Sequence, residues 1–359
     1  MDLCSIPLGP NPDGLPPNFE NPMSLQSAVI AISAIMLTFA IVIVMGRLYV
    51  NRNSFQLADY FIMVGLILDV GIAGSLLALS KHYRHEWDTP LCWLDATYMK
   101  LTFVEVLVVG PALFFPKAAI FLFYLQIFSV KRLVRIGSKI GLVVAFLAYF
   151  PASLTLCYFD APHVGQTWDE LLTSGMPQKG IPGGVTVGVA SVIVDIYVFI
   201  LPLPTLFSLN MALSKKMQLM ALFTTAFMGI VASVVCLVYR IKLLSQNDSG
   251  WRSGGVSIAI IVENNVAIIV GSLPAFSNFL RIHISQSTFY KSLQSKLSSR
   301  SGGHISDTEQ GGSWPKRTAW TYGSPQSRKP QYQELSDSVI LMSHVTVPDG
   351  AVTAAHESG

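Results

Sequence analysis

A chain of 359 residues that is 51% hydrophobic and only 13% charged has too few charges to cover soluble cores with solvent-facing polar surface. Its mean hydropathy is positive (+0.50) and its formal net charge is +3. These figures argue against a soluble enzyme and against a nucleic-acid partner, and point to a lipid bilayer as the surrounding medium.

Residues 1–24 are rich in Pro and Asn and hold no Lys or Arg. Lacking a basic n-region, they do not resemble a cleaved signal peptide, so the first span is expected to serve as the insertion signal. Runs of about 18 or more mostly apolar residues read as spanning helices. Residues 25–46, 140–159 and 217–239 form such runs without a single charge. Four more carry one or two charges: 60–79 with Asp69, 101–128 with Glu105 and Lys117, 185–211 with Asp195, and 256–280 with Glu263. The period-two alternation of a barrel is absent, so the spans are helices.

The expected fold is an all-α membrane protein, a seven-transmembrane helix bundle. Its parts are an extracellular segment 1–24, a membrane domain 25–281, and a cytosolic, Ser-rich, largely disordered tail 282–359. Lys and Arg gather on the cytoplasmic side, and sixteen of them lie in the odd loops and the tail against seven in the even loops. The amino terminus is therefore outside. Trp87, Trp93, Trp168 and Trp251 fall in the outer loops, where indoles collect at the interface, while Trp314 and Trp320 lie in the tail.

From about Ser285 the composition turns to Ser, Gly, Gln and Thr, which cannot offset the entropy of ordering. Phe289, Leu293 and Leu297 recur at helical spacing with Lys291 and Lys296 between them, a pattern suited to a short helix on the inner membrane surface. Residues 339–347 read either as a docking strand or as an incidental apolar cluster. The outer side is oxidising, and Cys4, Cys92 and Cys157 lie at or near it. One disulfide is expected, joining Cys92 to Cys4 or to Cys157; spacing does not choose between them. Asn247 heads a glycosylation sequon close to the membrane.

An ionisable side chain at bilayer depth is costly and marks a functional candidate. At about 1.5 Å per residue, Asp69, Lys117 and Asp195 fall within about 10 Å of one level. Lys117 is then the natural counter-ion for Asp69 or Asp195 in an intramembrane network. Glu105, Arg240, Glu263, Asn264 and Asn265 lie nearer the outer mouth and are candidates for a polar, outward-facing ligand cavity. The competing interpretation is a structural network that locks the bundle. Pro111 and Pro116, Pro202 and Pro204, and Pro274 interrupt spans three, five and seven and are expected to kink them.

Catalytic chemistry finds little support. His82, His85 and His163 lie in outer loops and His283 at the inner edge, so no metal site is expected at depth. His82 and His85 with Glu86 and Asp88 have ligand-like spacing, but an interfacial loop is the better explanation of them. No Gly-x-Gly-Asp segment surrounds Asp69 or Asp195.

Several segments, in order, resemble the fungal rhodopsin-domain family, GPCR-like seven-helix proteins of filamentous fungi. GRLYVNRNSFQLADYF (46–61) resembles its Arg-x-Tyr, Leu and paired acids, with Ala58 in place of the first acid and Asp59 kept. PKAAIFLFYLQIF (116–128) resembles its third-helix Lys and Tyr pattern, and DIYVFILPLPTLFSLNMALSKK (195–216) its Asp, Leu-Pro-x-Pro and Lys signature. MGIVASVVCLVYR (228–240) and IVENNVAIIVGSLPAF (261–276) resemble its sixth and seventh helices. The resemblance implies a plasma-membrane protein that senses extracellular signals.

A retinal Schiff base needs a lysine amine, and residues 256–280 contain none, so no cofactor is expected. An acidic-Arg-Tyr triplet after span three and Asn-Pro-x-x-Tyr in span seven are also missing, which leaves G-protein coupling an analogy. The sequence thus reads as a non-enzymatic, receptor-like protein. Its expected partners are the lipid bilayer, an extracellular small-molecule or surface ligand, and cytosolic signalling proteins at the basic loops and tail. The alternatives are a small-molecule or proton-coupled transporter, and a scaffold acting through the tail.

Overall fold

The computed structural model of the chain describes residues 2–127, 131–204, 213–245 and 248–286. Its helices are α1 (Gln26–Asn51), α2 (Leu57–Leu79), α3 (Ala96–Ile127), α4 (Arg132–Asp160), the short α5 (Trp168–Thr173), α6 (Met176–Ile200), α7 (Leu213–Leu243) and α8 (Ser249–Gln286). All except α5 contain a segment long and apolar enough to cross a bilayer, seven in all. Among the described residues there is no β-strand, and the protein is an all-α, seven-helix integral membrane protein.

Neighbours follow chain order. Each spanning helix packs on the next, α4 meets α6 directly, and α8 returns to α1 to close a ring. Helix α8 also reaches across the ring to α2 and α3. Within the spanning windows, 72% of α8 and 61% of α3 are buried, against 22% for α1, α4 and α7. The peripheral helices turn Ile35, Phe39, Leu147 and Leu154 outward to lipid, whereas α3 and α8 are shielded from it over most of their length.

Small residues set the closest crossings, as packing in lipid favours. A Cβ on Gly110 of α3 would stand 2.6 Å from Ser153 Cβ of α4, and one on Gly141 of α4 would stand 2.5 Å from the Phe121 ring and 2.8 Å from that of Tyr197.

The fifth span departs from expectation. It begins at Met176 rather than 185 and its regular helix ends at Ile200 rather than 211. Gly and Pro between 176 and 184 look like loop in the sequence. However, Pro177 occupies the first turn, where no amide partner is needed, and Gly175 turns into the helix with φ +66°. Gly183 lies against Leu156, where a Cβ would come within 2.9 Å of Cδ2. The glycines are thus contact surface for α4. Residues 205–212 lie outside the described residues, as do the expected surface helix at Phe289, Leu293 and Leu297, the 339–347 stretch and Asn247.

Candidate functional site

Four helices converge on Lys117, whose side chain is 1% exposed. Its Nζ lies 3.0 Å from both carboxylate oxygens of Asp195 on α6 and 3.4 Å from Oε1 of Glu263 on α8. It also donates to Tyr149 Oη on α4 at 3.1 Å and to Ser191 Oγ. The Tyr149 hydroxyl in turn donates to Ser191 at 3.1 Å, and Ser191 to Glu263. One cation thus serves two carboxylates, and the Tyr149 and Ser191 hydroxyls connect it also to Glu263. The hollow beside Asp195 and Glu263 measures about 10 Å³, too small for an organic ligand.

Asp69 does not join this cluster. Its Oδ1 accepts from Asn264 Nδ2 at 2.9 Å and from Asn265 Nδ2 at 3.3 Å, and Asn265 Nδ2 also reaches the Ile261 carbonyl at 2.8 Å. Asn264 and Asn265, expected at an outer cavity, therefore clamp α8 to α2. Glu263, expected with them, turns to Lys117. Asp69 sits on a different side of α8 from Lys117, and helix periodicity, not depth, decides the partner.

A third buried junction lies at the end of the bundle opposite the amino-terminal segment. Arg47 of α1, 2% exposed, donates from Nε to Asp59 Oδ1 at 2.6 Å and from Nη1 to the Gly271 carbonyl of α8 at 2.6 Å. Asn51 Nδ2 adds a 2.9 Å bond to Asp59 Oδ1, whose other oxygen accepts from the Gln56 amide at the start of α2. Sequence reasoning used Arg47 for topology and for the Arg-x-Tyr resemblance, and missed its pairing. The available signal was the opposite signs of Arg47 and Asp59 at the two ends of one short loop.

At the end of the bundle that carries the amino-terminal segment, a cavity of about 470 Å³ opens between α3, α4, α6, α7 and α8. Glu105, Asp160 and Arg240 line it, with Tyr83, Tyr98 and Ser257 above and Val187 and Ile260 toward its floor. Arg240 donates from Nη1 to the Gly184 carbonyl at 3.1 Å and from Nε to Cys236 Sγ at 3.4 Å, while its Nη2 has no partner. It forms no ion pair with Glu105 or Glu263. Burial raises the Tyr83 phenol well above its ordinary pKa, and the Glu105 charge adds to that. The phenol therefore stays protonated, and its oxygen accepts from Ser257 Oγ at 3.0 Å.

The loop between α2 and α3 caps this cavity. The His85 ring is stacked between Trp87 at 4.4 Å and Trp251 at 4.3 Å, and its Nδ1 lies 2.6 Å from Asp248 Oδ2. Glu86 donates its amide to Asp248 at 3.1 Å and receives the Ser249 amide at 2.7 Å, which fills an open donor at the start of α8. From the other side, a disulfide joins Cys4 to Cys92, and backbone bonds link Leu8 to Thr89 and Leu91 to Ile6. Cys157 is a free thiol, as is the buried Cys236. His82 and His85 do not share a metal-like cluster, and no group of three or more potential ligands occurs among the described residues.

Comparison with known proteins fits this architecture. The chain is 27% identical over 187 residues to a SAT4 family membrane protein of Emericella nidulans, a match covering 51% of this chain and 46% of that protein. The chain thus spans about half the length of the curated relative it matches. No solved structure matches the chain. The fungal rhodopsin domain matches residues 30–282, from the first turns of α1 to the last turns of α8. It takes in all seven spans, the Lys117 cluster and the cavity, and the chain belongs to the fungal rhodopsin domain family.

Proposed function

We propose that the protein is a non-enzymatic sensor in the plasma membrane, which binds a small extracellular molecule in the 470 Å³ cavity and relays occupancy to its basic inner loops. The observation that carries this reading is the spacing between cavity and charge cluster. Val187 and Ile260 line the cavity, and Ser191 and Glu263 of the Lys117 cluster follow them by four and three residues on the same helices. A ligand that moves α6 or α8 at the cavity floor therefore acts within one helical turn on a network that has more than one way to share its protons and bonds. The volume is within the usual range of about 300–1,000 Å³ for small-molecule sites.

The test places a fluorophore at the inner end of α1 (Arg52→Cys in a Cys157→Ser background) and screens small molecules against the protein in nanodiscs. Compounds that shift the emission of the parent, but not of a Val187→Trp variant with a filled cavity, support the sensor. Uptake of such a compound into proteoliposomes that depends on Asp195 makes the protein a transporter instead.

A further inference from the structure

The charged groups around the outer cavity differ from those deeper in the bundle. In the Lys117 cluster every charge has an opposite charge within 3.4 Å. In the cavity, Glu105, Asp160 and Arg240 form no ion pair among the described residues, and the buried Nη2 of Arg240 has no hydrogen-bond partner. Arg240 is 7% exposed and Asp160 8%. Glu86 also lines the cavity, but Ser249 already engages its carboxylate. Leaving buried charges unpaired is expensive, and although the three groups surround one space, none of them is within ion-pair distance of another.

We infer that the cavity is built for a zwitterionic ligand with an apolar body, whose ammonium is received by Glu105 and Asp160 and whose carboxylate is received by the Arg240 guanidinium. This rests on the cavity being the sensor's ligand site. A simple cation leaves the guanidinium arm without an acceptor, and a simple anion brings its charge against two carboxylates. A zwitterion answers both, and Arg–carboxylate contacts are among the stronger hydrogen bonds. Leu79, Val106, Val109, Leu156, Val187 and Ile260 supply the apolar wall. The chemical class is a short apolar peptide with free termini, represented by dipeptides.

The probes are the dipeptides formed from Ala, Val, Leu, Ile, Phe and Trp, each as the free zwitterion, the N-acetyl form without the ammonium, and the C-terminal amide without the carboxylate. Binding to the full chain in nanodiscs is read by calorimetry. At least one zwitterion is expected to bind tenfold or more tightly than either blocked form. Arg240→Gln is expected to erase the advantage over the amide, Arg240→Lys to restore part of it, and the pair Glu105→Gln with Asp160→Asn to erase the advantage over the acetylated form. Thermal unfolding of each variant checks that it is folded. A blocked form that binds as tightly as the zwitterion overturns the inference, as does a folded parent that binds none of the panel. Binding without any shift of the inner-end fluorophore leaves the ligand class standing and refutes the sensor.

Discussion

Lys117→Met keeps the length and much of the apolar stem of the side chain while removing the charge that Asp195 and Glu263 share. Two contributions follow from the contacts. The bonds to Tyr149 and Ser191 are neutral partners, and side-chain hydrogen bonds between membrane helices average about 0.6 kcal/mol, so their loss costs around 1 kcal/mol. The carboxylates, with the cation at 3.0 and 3.4 Å, are left buried without the charge they shared. Breaking a buried pair by removing one partner costs about 3–5 kcal/mol, and this second effect dominates. At about 1.4 kcal/mol per factor of ten, the folded-to-unfolded ratio falls by more than a hundredfold. Titration from mild detergent into SDS, followed by tryptophan fluorescence, measures it. Lys117→Met combined with Asp195→Asn is expected to be more stable than the sum of the single effects, because the second change removes a charge the first has orphaned. A single variant within about 0.5 kcal/mol of the parent, or strictly additive effects, would refute the view that the cluster acts as one electrostatic unit.

Gly110→Ala drives a methyl to 2.6 Å from Ser153 Cβ and should cost about 1–3 kcal/mol by overpacking, with Ser153→Gly recovering most of it in the same unfolding assay. Maleimide labelling counted by mass should modify the half-exposed Cys157 in the native protein, add Cys236 on denaturation, and reach four thiols only after reduction. Asp95 precedes α3, and the Tyr98 amide, 2.8 Å from its Oδ1, holds its carboxyl below the usual carboxylate range. Its folded pKa being depressed, the stabilisation is present above the ordinary carboxylate pKa and lost as pH falls through the lowered value. Exposure keeps it below about 1 kcal/mol, so Asp95→Asn should flatten only a shallow acid limb of the unfolding midpoint, and a steeper limb in the variant would contradict the assignment.

The spans were legible because lipid leaves the chain little freedom: a run of apolar residues without a charge has nowhere else to go. The fifth span was displaced in the sequence reading because Gly and Pro mark turns in water, whereas Gly183 against Leu156 marks a helix contact. Depth placed Lys117 near both Asp69 and Asp195, since rise per residue is fixed. Which aspartate it meets depends on rotation about the helix axis, which hydropathy does not encode when both faces of α3 are apolar. For the same reason Glu263, Asn264 and Asn265 looked like one polar patch, yet they point to two different neighbours. The Arg47 junction escaped because its third member is the backbone carbonyl of Gly271, and a carbonyl has no signature in the sequence.

Helix α8 leaves the ribosome last of the seven, and it holds the partners of groups made long before it. Asn264 and Asn265 answer Asp69 across 195 and 196 residues, Glu263 answers Lys117 across 146, and Gly271 answers Arg47 across 224. At about 5–20 residues per second, Asp69 waits roughly 10–40 seconds in the bilayer for its amide donors. During that interval the nascent protein is a set of helices with polar notches and no key. Arg47–Asp59 and Lys117–Asp195 can pair before α8 arrives, but the amide donors of Asp69 and the carbonyl that Arg47 reaches come only with the seventh helix, so a chain cut before residue 263 lacks both.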